Sequence, residues 1–362
     1  MGDYYYCGCC ICCLSKKKRN AIAKNEEINQ LLLEQMRRER REIKLVLLGT
    51  AESGKTTFLK QMRIHHGNGY SEEERRSYTK QIFLNIFQSM IAMTNAMNTL
   101  KIPYSNSQNN IYAQCFQDLD IQQITQLQRT YIEAIHHLWA DQGFKMCYNR
   151  RSEYHLLDST EYFISNLARI AAEDYMPTNQ DILRVKSPTN GFTEQRITYE
   201  NITLRIVDVS GQRGAIKKWI HCFDSVKSII FVASLIDYDQ VLEENNDQKN
   251  RMEESLSLFY TTINSQWFAN SSIILLLNKM DILAEKICFS DLKTTFPQFE
   301  GRRRDAHDAM EFIRNLYEQK ADNFKLIYCH FTCAMDTKIT QIIFSDVKDT
   351  ILINALKDYE QF

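Results

Sequence analysis

Apolar and polar positions follow two different periods along this chain, and the period changes three times. Residues 20–42 are rich in charge, with Ile22, Ile28, Leu32 and Met36 at helical spacing and no Gly or Pro between them. They predict a helix that is either solvated or a docking surface, since it has little of its own to fold against. "KLVLLG" at 44–49 is a short apolar run ending in Gly, the pattern of a buried parallel strand, and "KTTFLKQMRIHH" after it predicts a helix. From about 71 to 182 the helical period takes over. Ile82, Ile86 and Met90 are spaced by four, as are Phe83, Phe87 and Ile91. "ITQLQRTYIEAIHHLW" and "STEYFISNLARIAAEDY" repeat the spacing. Strand signals return in "RITYENITLRIVDVSG", "KSIIFVASLI", "SSIILLLN" and "FKLIYCHFTC", with helical stretches near 213–222, 250–264, 305–320 and 338–358.

Strands alternating with helices predict an α/β fold with a doubly wound, mostly parallel sheet. The helical block of about a hundred residues reads as a domain inserted into it. The expected layout is a tail at 1–19, an N-terminal helix at 20–42, a sheet domain from 43–68 and 185–362, and an inserted all-helical domain at 69–184. Ligands of such sheets bind beyond the C-terminal ends of the strands.

Composition narrows the function classes. A formal net charge of -1 over 362 residues gives no sign of a nucleic-acid partner. No apolar run approaches the ~20 residues of a membrane-spanning helix, and the N-terminus lacks the basic-then-apolar order of a secretion signal. Five of the 11 cysteines (Cys7, Cys9, Cys10, Cys12 and Cys13) crowd together, while the scattered remainder suit a reducing compartment. The cluster lies beside Lys16, Lys17, Lys18 and Arg19, as in a palmitoylated, polybasic anchor at Cys7, Cys9 and Cys10. Gly2 is placed for N-myristoylation, although Tyr6 stands where the usual motif wants Ser or Thr. A disordered, incidentally Cys-rich tail is the other reading. A soft-metal site lacks a second ligand pair at finger-like spacing.

The candidate chemistry lies at strand ends. Gly49-Thr-Ala-Glu-Ser-Gly54-Lys55-Thr56 matches G-x-x-x-x-G-K-[ST], follows a strand and opens a helix. In such a loop backbone N–H groups cradle phosphates, the Lys neutralises them and the Thr hydroxyl ligates Mg²⁺. "RIVDVSGQR" puts Asp208 at a strand end, where a carboxylate holds Mg²⁺ through water. Gly211 there can approach a γ-phosphate closely, and Gln212 can orient an attacking water. In "LLLNKMD", Asp281 can accept both the ring N–H and the exocyclic amine of guanine, while Asn278 and the stem of Lys279 shape a base pocket. "FTCAMDT" ends the last strand, where an N–H near Ala334 is within reach of a guanine oxygen.

With these motifs in this order, the chain from about Lys44 onward resembles the α subunit of a heterotrimeric G protein. "KKWIHCF", "DYDQVL", "NRMEESLSLF" and "HFTCA" are nearly verbatim. The resemblance implies a GTP-binding, GTP-hydrolysing switch that uses Mg²⁺ at the cytoplasmic face of the plasma membrane. Its implied partners are a βγ dimer docked on the N-terminal helix, a seven-helix receptor on the last helix, and an effector. It assigns phosphate contacts to Glu52, Ser53, Gly54, Lys55, Thr56 and Thr57. Ser159, Leu183 and Arg184 would close over the nucleotide, and Thr189 would complete the Mg²⁺ shell. Asn278, Lys279, Asp281, Cys333 and Ala334 would surround the base.

The departures concern hydrolysis. The family loop reads G-A-G-E-S-G-K-S-T, and Ala51 replaces its second Gly, adding a methyl where Gln212 and the water must align. The family arginine of R-V-K-T-T-G aligns with Lys186, followed by Pro188; lysine carries charge without the planar fork. Ser210 replaces a Gly beside Gly211, and Met335 replaces a Thr near the base. The resulting expectation is firm binding of GTP and Mg²⁺ with slow hydrolysis. A nucleotide-holding interaction protein with little turnover is the alternative, and a kinase or ATPase is disfavoured by Asn278-Lys279-x-Asp281. Tyr359 stands where some members carry Cys, so receptor choice does not transfer.

Overall fold

Leu45, Val46, Leu47 and Leu48 are all at most 2% exposed, and their alternation decides the architecture. Leu45 and Leu47 face one hydrophobic cluster, Val46 and Leu48 another, so the strand that carries them is covered on both sides. Each such side chain contributes about 1.5–3 kcal/mol on burial, and a strand buried on two faces must sit inside a helix-covered sheet.

The computed structural model describes residues 16–117, 119–121, 124, 126–187, 192–199, 202–209, 223, 225–240, 250–321 and 326–360. Gly2, Cys7, Cys9, Cys10, Pro188, Thr189, Ser210, Gly211 and Gln212 lie outside them, as does the expected helical stretch at 213–222. The first helix, α1 (Lys16–Arg41), leads into β1 (Glu42–Leu48) and α2 (Lys55–His66). Then come the helices α3 (Glu72–Thr99), α4 (Asn109–Gln114), α5 (Arg129–Ala140), α6 (Gln142–Asn149), α7 (Thr160–Ser165), α8 (Leu167–Ile170) and α9 (Asn179–Arg184). After them the chain forms β2 (Phe192–Tyr199), β3 (Ile202–Val209), β4 (Ser228–Ser234), α10 (Arg251–Ile263) and β5 (Ser272–Asn278). It ends with α11 (Met280–Lys286), α12 (Leu292–Thr295), α13 (Ala306–Glu318), β6 (Ile327–Thr332) and α14 (Thr337–Glu360).

Among the described residues six strands lie in the order β2-β3-β1-β4-β5-β6. β1, β3, β4, β5 and β6 run parallel, and β2 alone is antiparallel, hairpin-paired to β3. The parallel register aligns Leu47 with Asp208, and Asn278 with both Ser234 and Thr332, so those strand ends finish on one edge of the sheet. α2 and α14 cover one face through Phe58, Leu59, Phe344 and Val347; α10 and α13 cover the other through Phe259 and Tyr317.

The helical domain has its own core, drawn from residues between Ile82 and Ile170, with Val185 joining it. α3 is its spine. Ser71 and Glu74 form a reciprocal capping box at its start, and Glu72, Glu73 and Glu74 suit the positive end of the helix dipole. Ile82, Ile86, Met90, Met93 and Met97 are all buried along one face, as the four-residue spacing requires. The fold is therefore an α/β Ras-like arrangement of a mostly parallel sheet with a helical domain.

Candidate nucleotide-binding site

The turn from β1 into α2 has a backbone that side chains resist. Gly49 has φ 141° and Gly54 φ 109°, both in the region that favours glycine. A Cβ on Gly49 would stand 2.1 Å from the Val232 carbonyl oxygen, and one on Gly54 2.1 Å from Asn278 Nδ2. Glu52 takes φ 63° without being glycine, a conformation kept where surrounding bonds enforce it.

Helix α2 opens without a side-chain cap and without an acid in its first turn, and its first residue is a lysine. A cation at the positive end of a helix dipole, beside orphan N–H groups, is unfavourable unless an anion is bound there. Lys55 is 7% exposed, and its Nζ donates to the carbonyls of Gly49 at 2.9 Å and Thr50 at 2.7 Å. Burial pushes its pKa down to about 8, against the pull of Asp208. Asp208 is pushed the other way, to about 6, by burial that Lys55 does not offset. Its Oδ1 and the Ser53 Oγ are buried without a hydrogen-bond partner. An unpaired buried carboxylate oxygen near an anion-seeking helix end is a donor set that suits Mg²⁺.

Asn278 ties the phosphate loop to the opposite end of the site. Its Nδ2 donates to the Ser53 carbonyl at 2.8 Å, and its Oδ1 accepts from the Ala334 N–H at 2.9 Å. The Ala334 N–H itself is thus engaged by Asn278. Gln61 of α2 also holds the turn, donating to the Ala334 carbonyl at 2.9 Å. Lys279 sits in the left-handed region at φ 68°, and its Nζ pairs with Asp158 of the helical domain at 2.7 Å. Burial raises the Cys333 thiol to about 11, leaving it protonated and unreactive.

Between these ends lies a cavity of about 510 Å³. Of the residues expected from sequence, Glu52, Gly54, Lys55, Thr56, Thr57, Ser159, Leu183, Arg184, Lys186, Asn278, Lys279, Asp281, Cys333 and Ala334 line it. Gly49, Ser53 and Asp208 support it from behind, through the Lys55 and Asn278 contacts already described. Thr57 Oγ1 donates to the Leu183 carbonyl at 3.4 Å, and the Arg184 guanidinium stacks 4.1 Å from the centre of the Tyr162 ring.

Glu52 is a meeting point that sequence spacing did not reveal. It pairs with Lys186, with His155 at 3.3 Å and with Arg251 at 3.5 Å. Burial opposes its ionisation, but His155 and Lys186 outweigh it and hold the carboxyl far below its usual range. Arg251 also donates to the Ala51 carbonyl at 2.9 Å. His155 and Asp158 share one stretch of chain and Arg251 comes from another, both far in sequence from Glu52 and Lys279, so no local motif could have flagged them.

The family model for the G-protein alpha subunit matches residues 22–351 of the 362. The chain belongs to the G-protein alpha subunit family. It is a signal-transducing subunit of that kind, and members are generally GTPases that typically use Mg²⁺ and act with βγ, receptor and effector partners. Against that background the match takes in the whole sheet, the helical domain and every lining residue of the cavity.

Proposed function

We propose that this alpha subunit binds GTP and GDP in the cavity and hydrolyses GTP slowly. The observation that carries the reading is a buried lysine at an uncapped helix N-terminus at one end of the cavity, with Asp281, Asn278 and the Ala334 turn at the other. A phosphate chain would compensate the desolvated Lys55 and the orphan N–H groups, and a guanine edge would meet Asp281. Thr56, Thr189 and Asp208 would hold Mg²⁺, whose charge neutralises the phosphates during transfer. Gln212 would orient the attacking water and Lys186 would stand in the arginine's place.

Slow turnover is supported by two features. Lys186 is paired with Glu52 rather than projecting freely, and Ala51 carries a methyl on the cavity wall. These also support the second reading, a nucleotide-holding interaction protein. Single-turnover hydrolysis of γ-labelled GTP separates the two: phosphate release over many minutes is expected, and fully retained GTP would favour the second reading. Preference for ATP in the same assay would overturn both.

The surroundings follow from the same reading. The exposed Ile28, Leu31, Leu32 and Leu33 of α1 support docking of a βγ dimer, and membership of the G-protein alpha subunit family supports receptor contact through α14. The Cys-rich, polybasic tail supports acylation at Cys7, Cys9 and Cys10, with Gly2 as a further site, and a location at the cytoplasmic face of the plasma membrane. Release from membranes by hydroxylamine, which cleaves thioesters, tests the cysteine anchors; unchanged membrane association would refute them.

A further inference from the structure

The segment that returns from the helical domain towards the sheet is held from two helices at once. Lys60, in the middle of α2, is 5% exposed, and its Nζ donates to the carbonyls of Ile182 and Val185, each at 2.8 Å. It also stands 5.6 Å from the centre of the Tyr78 ring. Those carbonyls belong to the C-terminal end of α9, where the helix dipole is negative and a cation is favoured. Burying an ammonium is costly, and burial lowers its pKa to about 8. An apolar residue would fill the same space at less expense to stability, so the carbonyl contacts are the feature that needs a lysine.

Asn85 of α3 makes the matching contact from the other side. It is fully buried, its Oδ1 accepts from the Lys186 N–H at 2.7 Å, and its Nδ2 donates to the Lys186 carbonyl at 3.1 Å. Gln81, one turn earlier, donates to the same carbonyl at 3.0 Å. Asn85 thereby pairs with both polar backbone groups of one residue, as a neighbouring strand would.

We propose that Lys60 and Asn85 are positioning residues that fix the backbone of 182–186 to α2 and α3 together, and so set where Leu183, Arg184 and Lys186 stand over the nucleotide. This rests on the guanine-nucleotide reading of the cavity. Leu183 and Arg184 wall the cavity from α9, and Thr57 reaches the same segment from α2. Loosening the clamp lets that wall swing away from α2, so bound nucleotide leaves sooner.

The test preloads the full chain with fluorescent GDP and follows its release, with hydrogen–deuterium exchange measured in parallel. Lys60→Met is expected to release GDP about tenfold faster or more, and Lys60→Arg to stay within about threefold of the natural chain, since it keeps charged donors for both carbonyls. Amides of 182–187 should exchange faster in Lys60→Met while those of 45–48 keep their protection. Release at the natural rate with 182–187 still protected would overturn the proposal. So would loss of protection across 45–48 as well, because that marks general destabilisation. Should Lys60→Met not fold, Asn85→Ala, which buries no charge, is measured by the same two readouts, and the same results support or overturn the clamp. If the natural chain retains no GDP, the nucleotide reading fails, and exchange at 182–187 alone decides the clamp.

Discussion

Lys186 donates to the Glu52 oxygen that also lies 3.3 Å from His155 Nε2, so the residue proposed to stand in the family arginine's place is engaged with the turn between β1 and α2. A lysine ammonium is a compact charge that one carboxylate satisfies; a guanidinium can hold a carboxylate with one edge and reach with the other. Lys186→Arg is therefore expected to raise the single-turnover rate of GTP hydrolysis about tenfold or more, part of the ~10³ that an arginine in this role supplies. An unchanged or lower rate would mean that the lysine is not what limits turnover.

The two glycines of the loop make a graded prediction. On Gly49 a methyl would strike the backbone of β4, which cannot yield; on Gly54 it would strike the end of the Asn278 side chain. Both positions also carry the strain of a positive φ, about 1–3 kcal/mol each for a non-glycine residue. Gly49→Ala should lower the thermal midpoint more than Gly54→Ala, whereas Gly54→Ala should abolish nucleotide retention while the fold survives. Equal losses of stability in the two variants would contradict this.

How much of this could be read from sequence depends on how local each feature is. The tight turn between β1 and α2 was legible because Gly49 and Gly54-Lys55 lie within one short stretch, and α3 because Ile82, Ile86 and Met90 share a face. The sheet was legible from the apolar runs, including β4 and β5, which are buried almost throughout. Helix α11 and the short α12 were not, since each is too brief to show a period. The convergence of His155, Lys186 and Arg251 on Glu52 was also invisible, because it arises when the helical domain is laid against the sheet. A buried lysine such as Lys60 reads in sequence as an ordinary solvated helix position.

Acid should loosen the helical domain in a defined window. The Asp181 carboxylate is fully buried and accepts from Arg169 at 2.7 and 2.8 Å, Tyr162 at 2.9 Å, Tyr175 at 3.1 Å and the Thr178 N–H at 2.8 Å. Burial alone would raise its pKa, but these donors, Arg169 foremost, bring it down to about 2 from 3.8. Asp181 therefore ionises more readily folded than unfolded, so its stabilisation is complete above about pH 4 and is lost as the pH falls towards 2. Arg169→Met should cost about 1.5–3 kcal/mol near neutral pH and move the acid transition of the helical domain upward. Circular dichroism across pH 2–6 would expose an unmoved transition, which would count against this account.

Asn278 supplies the sharpest test of the site as one unit. It joins the carbonyl of Ser53, in the phosphate loop, to the amide of Ala334, in the turn at the other end of the cavity. Removing it leaves two buried backbone groups without that partner, at about 1–3 kcal/mol apiece. The cost falls on both ends of the nucleotide rather than on the base alone, because Gly54 packs against the same side chain. Asn278→Ala should therefore weaken GDP binding by about 10² or more, from a coupled loss of roughly 3 kcal/mol. It should weaken inorganic pyrophosphate binding too, although pyrophosphate has no base to lose. If pyrophosphate binding by calorimetry were untouched while GDP binding fell, Asn278 would serve the base pocket alone and the coupling between the two ends would be wrong.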